Sequence, residues 1–230
     1  MIKIINSLKI NNLNKYYVEI GSGLGLFNFN ILNFLLRFFN IITGYECNTR
    51  FLRENLSWSG ILFDDKFSDE SINLKQEKIH HSTILNTFEK YEIPNEIDLL
   101  SEDTDYADYW IVEKILTKYR PKVLIHEVNQ QTPDKCVVVE KSDQIIYWDL
   151  SIYHGGSVCA FYCLAKRFNY SMVYCESAGI NCFWIRNSLI EKNLGINVSL
   201  LQSILNPYFL YKKFPVLFRN SSNKWFNVQC

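Results

Sequence analysis

Apolar and polar positions follow one another in blocks that predict strands and helices in turn. Residues 15–21 (KYYVEIG) form an apolar run closing on glycine, the pattern of a buried strand. Residues 44–56 (GYECNTRFLRENL) set Phe51 and Leu52 between charged positions and predict a helix. Residues 59–65 (SGILFDD) and 72–79 (INLKQEKI) read as the second and third strands. In 81–93 (HSTILNTFEKYEI), Ile84, Leu85 and Phe88 recur at helical spacing, and Pro94 stops the helix. Residues 96–105 (EIDLLSEDTD) predict a strand that leaves acids at its exit. An amphipathic helix over 108–119 ends before Pro121, and 122–129 (KVLIHEVN) form another buried strand. Residues 157–169 predict a helix, followed by strands at 170–176 and 181–187.

Strands alternating with helices are the mark of a mainly parallel α/β sheet. The last two strands lie too close for a crossover helix, so they are expected to pair antiparallel at one edge. With 230 residues and no repeat or linker, the chain suffices for one domain with a full core. The aromatic tail, 191–230, is expected to pack on that domain. A content of 48% apolar and 21% charged residues is globular, and a net charge of +0 speaks against nucleic acid or an anionic membrane as main partner.

Seven cysteines stand at 47, 136, 159, 163, 175, 182 and 230. None forms a CxxC pair. Cys159 and Cys163 share a helix face, yet no second pair has zinc spacing. The expectation is reduced thiols in a cytoplasmic protein, with no metal. The opening MIKIINSLKINNLNK lacks the apolar core and cleavage site of a signal peptide.

In open α/β sheets ligands bind beyond the carboxyl ends of the strands. Four places qualify. Gly21-Ser22-Gly23-Leu24-Gly25 is either a loop that lets backbone approach a cofactor or a plain tight turn. Asp64 and Asp65 end the second strand, where an acid commonly meets a ribose, or they are solvated turn residues. Asp103, Asp105 and Asp108, with Glu102, can bind a cation, hold a cofactor amine or accept a proton; they can also cap the next helix. His126, Glu127 and Asn129 end the fifth strand, with His126 expected to be a side-facing residue rather than a ligand. No GxSxG elbow, GK[ST] loop or HExxH array occurs, which removes the common hydrolase and NTPase signatures.

The stretches VEIGSG, YECNTRFLREN, SWSGILFDD, INLKQEKI, IDLLSEDTDYADYW, YRPKVLIHEVN and YHGGSVCAFYCLAKRFNYSMVYCESAGINCFWIR resemble, in that order, the FkbM-related S-adenosylmethionine-dependent methyltransferase-like family, in particular an uncharacterised branch. The resemblance covers about residues 16–190, and LLSxDxDxxDYW and GxNCFxxR are its most specific parts. It implies a Rossmann-like class I methyltransferase sheet with an antiparallel C-terminal edge strand, a methyltransferase-like domain over 1–190, and S-adenosyl-L-methionine as cofactor. It places Glu19, Gly21 and Gly23 on the cofactor loop and Asp64 at the ribose. Asp103 and Asp105 would face the methionine end or the substrate, and Glu127 and Asn129 would line the same cleft. Asp103, Asp105 and Glu127 are thereby the candidate catalytic residues. The acceptor, small molecule or glycan, is unassigned, as is the oligomeric state.

The chain departs from that pattern. Glu102 replaces an apolar residue, Ala107 replaces Asn, and Leu24 stands where an acid is common. Removing residues 25–43 leaves VEIGSGLGYECNTRFLREN, which has the family's length and returns Asp64 to about twenty residues past the loop. Residues 25–43 are therefore expected to be an insertion, either translated intron or a genuine apolar segment. Asn28, Asn30, Asn33, Arg37 and Asn40 make it a poor membrane span. Two functions follow: an enzyme methylating an oxygen or nitrogen acceptor, or a catalytically inactive methyltransferase-like binding or scaffold module.

Overall fold

The computed structural model describes residues 13–22, 48–132, 135–142, 144, 146–149, 151–175, 179–195, 197–198 and 223–230. Its elements are β1 (Tyr16–Ile20), α1 (Arg50–Leu56), β2 (Ser59–Asp64), β3 (Leu74–Gln76), α2 (Ile84–Lys90), β4 (Leu99–Glu102), α3 (Asp108–Leu116), β5 (Val123–Glu127), β6 (Val137–Val138), α4 (Val158–Arg167), β7 (Tyr170–Cys175), β8 (Asn181–Arg186), α5 (Asn187–Leu194) and β9 (Phe226–Asn227). Gly23, residues 25–43 and the first part of the helix expected over 44–56 lie outside the described residues.

Seven strands form one sheet in the order β3-β2-β1-β4-β5-β8-β7. β3, β2, β1, β4 and β5 run parallel. β8 is antiparallel to β5 and β7, so the antiparallel pairing falls at the C-terminal edge. The β7–β8 hairpin folds back so that its second strand meets β5 and its first becomes the rim. This is the mainly parallel α/β sheet that the alternation predicts, in the Rossmann-like order with an antiparallel edge that the resemblance implies.

Both faces of the sheet are covered, which accounts for the nearly continuous apolar character of its strands. Side chains alternate: Val18 and Ile20 join Phe63, Leu100, Leu124 and Trp184 under α2, α3 and α4. Tyr17 joins Leu62, Leu99, Val123 and Ile185 against Leu52 of α1 and Ile190 of α5. Full burial of one such Leu contributes about 1.5–3 kcal/mol. At the amino ends of the strands, Lys122 Nζ lies 2.6 Å from Asp98 Oδ1, and Asp98 Oδ2 accepts from the Tyr16 amide at 3.1 Å. This buried pair is structural and faces away from the acid-rich end.

A second, two-stranded ribbon joins β6 to β9. It carries a correction to the cysteine expectation. Cys136 is disulfide-bonded to Cys159, and Cys163 to Cys230. The ribbon brings residues flanking β6 and β9 onto α4, a juxtaposition that spacing along the chain does not reveal. Among the described residues, no helix is long and apolar enough to cross a membrane.

Candidate cofactor and active site

Strand ends set the site. β1, β2, β4 and β5 finish at Ile20, Asp64, Glu102 and Glu127, which puts Gly21, Asp64, the 103–105 turn and Glu127 along one rim of the sheet.

Glu19 is 3% exposed and turns toward α1. Its carboxylate accepts from the amides of Asn48 (2.6 Å) and Thr49 (3.1 Å) and from the Thr49 hydroxyl. Asn48 Nδ2 donates to Ser101 Oγ on β4 at 3.1 Å. Burial pushes the Glu19 carboxyl up, and these donors pull it back. The residue thus holds the start of α1 beneath the β1 loop.

Gly21 has φ +76°, a left-handed backbone that glycine adopts without strain. A Cβ there would lie 1.5 Å from the Asp103 carbonyl oxygen. Glycine is required because the exits of β1 and β4 touch, whatever ligand passes over them. The Gly21 amide donates to Phe63 O at 3.0 Å, and Ser22 is buried beside it.

Asp64 Oδ1 accepts from the amides of Lys66 (2.8 Å) and Phe67 (3.0 Å), closing the turn after β2. One oxygen of Asp64 therefore builds the turn at the carboxyl end of β2, and these turn bonds leave Oδ2 unused. Burial raises its carboxyl above the ordinary value.

Three predicted acids converge. One carboxylate oxygen from each of Asp103, Asp105 and Glu127 lies within 4.8 Å of the others. Asp105 occupies the left-handed region (φ +64°), which Asp tolerates better than most residues. Burial and neighbouring acids push the carboxyls of both Asp103 and Glu127 up, so the pair holds protons more tightly than ordinary carboxyls do. Such an oxygen-rich set suits a cation, a ligand ammonium or a proton.

A second acid pair lies directly behind. Glu102 and Asp108 are each 1% exposed. Glu102 Oε1 accepts from Thr104 Oγ1 at 2.9 Å, and Asp108 Oδ1 from the Thr104 amide at 2.8 Å. Glu102 Oε2 and Asp108 Oδ2 receive no bond from any ordinary donor. Burial raises Glu102 well above the carboxylate range and Asp108 to about 6. A proton kept on Glu102 and donated to Asp108 satisfies this pair.

His126 and Asn129 are occupied elsewhere. His126 stacks between Phe161 (3.9 Å) and Trp184 (5.3 Å), and burial lowers its pKa to about 3, leaving a neutral core imidazole. Asn129 Nδ2 donates to Ile152 O (2.8 Å) and His154 O (2.9 Å), and Oδ1 accepts from the Gln131 amide (2.8 Å). Asn129 therefore anchors the 152–156 loop rather than lining the cleft.

The sequence did not reveal the aromatic wall beside the turn. Tyr106, Val139 and Tyr153 form a cluster with Trp225 against it. Tyr153 Oη accepts from the Glu140 amide (2.8 Å) and donates to Lys224 O (3.0 Å). Its signal in the chain is faint, a tyrosine before the Gly155-Gly156 pair. Gly155 lies so close that an added Cβ would stand 3.3 Å from Asp108 Oδ2.

No protein-family model matches the chain, and no curated protein matches it. Solved structures are similar at low scores. An O-methyltransferase family protein from Burkholderia thailandensis aligns with TM-score 0.43 at 7% identity, covering 80% of this chain and 55% of its own. The MycE methyltransferase from the mycinamycin biosynthetic pathway, in complex with Mg and SAH, gives 0.37 at 13%, covering 75% and 45%. Its complex with Mg, SAH and mycinamycin VI gives 0.40 at 11%, covering 80% and 48%. The chain spans about half the length of these structures. The strand order by itself defines the Rossmann-like sheet, and no family model supports the FkbM-related resemblance.

Proposed function

We propose that the chain is an S-adenosylmethionine-dependent methyltransferase acting on an oxygen or nitrogen acceptor. The observation that carries this is the meeting of Asp103, Asp105 and Glu127 beside Gly21, at the carboxyl ends of β1, β4 and β5. The residues fit the cofactor. The Asp64 oxygen that the turn does not use suits ribose hydroxyls. The three acids complement the positive charge of the amino acid end. S-adenosylmethionine supplies an electrophilic methyl on a sulfonium.

Asp105, at the exposed lip, orients the cationic end or the acceptor. Asp103 would take up the proton that the acceptor releases, and its raised pKa suits a base working near neutrality. Glu127, raised alongside it, tunes Asp103. The remaining rate enhancement comes from holding two reactants in line, which the Gly21–Asp103 contact keeps rigid.

Calorimetric titration with S-adenosylmethionine tests the assignment. Binding is expected, weakened about tenfold or more by Asp64→Ala, the value of one charge-assisted hydrogen bond. Absence of binding to the intact chain overturns it. One observation favours the inactive-module alternative: Glu102 buries an acid where the resembled family carries an apolar residue. Cofactor binding without turnover, restored to turnover by Glu102→Leu, selects that alternative.

A further inference from the structure

The four disulfide-bonded cysteines form one cluster rather than two separate bridges. Cys136 Sγ, in one pair, lies 3.9 Å from Cys163 Sγ in the other. The sulfurs of Cys136, Cys163 and Cys230 all lie within 4.8 Å of one another, and Cys159 is bonded to the first of them. Cys159 and Cys163 stand one turn apart on α4. Cys136 precedes β6 and Cys230 follows β9, and the Val228 amide donates to Cys136 O at 2.8 Å. Three chain segments thus deliver four sulfurs to one point. Cys159 and Cys163 are nearly buried, whereas Cys230 is exposed and gives access.

We infer that, when reduced, Cys136, Cys159, Cys163 and Cys230 form a four-thiolate site for zinc. Zinc–sulfur bonds of about 2.3 Å in a tetrahedron place sulfurs about 3.8 Å apart, close to the spacing already present between the two pairs. Thiolate ligands in a closed set of four favour zinc over hard cations such as magnesium. Binding releases the four thiol protons, and no redox change occurs at the metal. The disulfide-bonded arrangement and the metal site are alternative states of the same cluster.

The site does structural work. β9 carries Phe226, whose ring centroid lies 5.5 Å from that of Trp110, and Trp225 lies 4.8 Å from Tyr153. Fixing Cys230 to α4 therefore holds residues 223–230 against the aromatic wall beside the acid turn.

The full chain, reduced with a phosphine and freed of metal, is titrated with cobalt(II) chloride as spectroscopic probe. The expected result is one cobalt per chain, with sulfur-to-cobalt charge transfer and tetrahedral ligand-field bands, displaced by zinc. Cys230→Ser, at an exposed position, and Cys163→Ser are both expected to lose these bands, while Cys175→Ala, outside the cluster, retains them. Circular dichroism of the Cys230 variant confirms that it is folded. Absence of stoichiometric cobalt, an octahedral spectrum, or full binding by folded Cys230→Ser overturns the proposal, and the cluster is then a disulfide staple only.

Discussion

Glu19 and Thr49 stand thirty positions apart in the chain, and the carboxylate of the first accepts from both the amide and the hydroxyl of the second. The end of β1 and the start of α1 therefore meet as one loop-to-helix junction, whatever runs between them. Glu19→Gln removes the charge and one acceptor oxygen. It is expected to cost about 2 kcal/mol in urea denaturation, the range for hydrogen bonds to charged groups. Because the junction closes through Glu19, a chain lacking residues 25–43 is expected to fold with a melting temperature no lower than that of the full chain. Transcript sequencing gives the companion measurement: an abundant message encoding the segment sinks the intron explanation.

Gly21→Ala sets a methyl against the Asp103 carbonyl and forces a left-handed backbone on alanine. Overpacking and strain together are expected to destabilise by about 3 kcal/mol. Asp105→Asn gives the contrast. Asn accepts the same left-handed φ, so stability is expected to change by less than about 0.5 kcal/mol. Methyl transfer, on the proposed function, is expected to fall at least about tenfold, the scale of a lost charge contact. An Asp105→Asn enzyme with unchanged turnover removes that residue from the site.

The buried acids set the pH dependence. Glu102, Asp103, Asp108 and Glu127 all hold protons more tightly in the folded state than ordinary carboxyls do. Where the native state binds more protons than the unfolded state, stability falls as pH rises. For Asp108 that window runs from its ordinary value of 3.8 to about 6, and for Asp103 from 3.8 to about 8; Glu102 and Glu127 are raised in the same direction. Denaturation midpoints are expected to decline from about pH 5 to about pH 8. Glu102→Leu is expected to flatten the decline; a midpoint rising over this range contradicts the acid pairing.

Asp98→Ala leaves the Lys122 ammonium buried without its carboxylate. The expected loss is about 3–5 kcal/mol by chemical denaturation. Since the pair lies at the opposite end of the strands from the acids, affinity for S-adenosylmethionine in the folded fraction is expected to be unchanged.

Periodicity carried most of the fold. β1 through β5, α3 and the β7–β8 hairpin were legible because buried strands and amphipathic helices differ in apolar spacing. β6 and β9 were not, since a two-residue strand has no period. α5 was hidden by its polar composition. The strand-end rule located Asp103, Asp105 and Glu127, whose convergence depends only on strand order. It could not show that Glu19 serves α1 or that Asn129 is consumed by the 152–156 loop, because those partners are set by loop conformation. The cysteine pairs, 23 and 67 residues apart, needed the ribbon to be seen at all.

The stacking of His126 on Trp184 supplies an optical handle. Trp184 is fully buried, and the imidazole beside it stays neutral down to about pH 3. Protonated imidazole quenches indole emission, so this tryptophan is shielded from that quenching across the range in which the rim acids titrate. Emission from Trp184 is therefore expected to report the stacking of Phe161, His126 and Trp184 between α4 and the sheet rather than protonation at the rim.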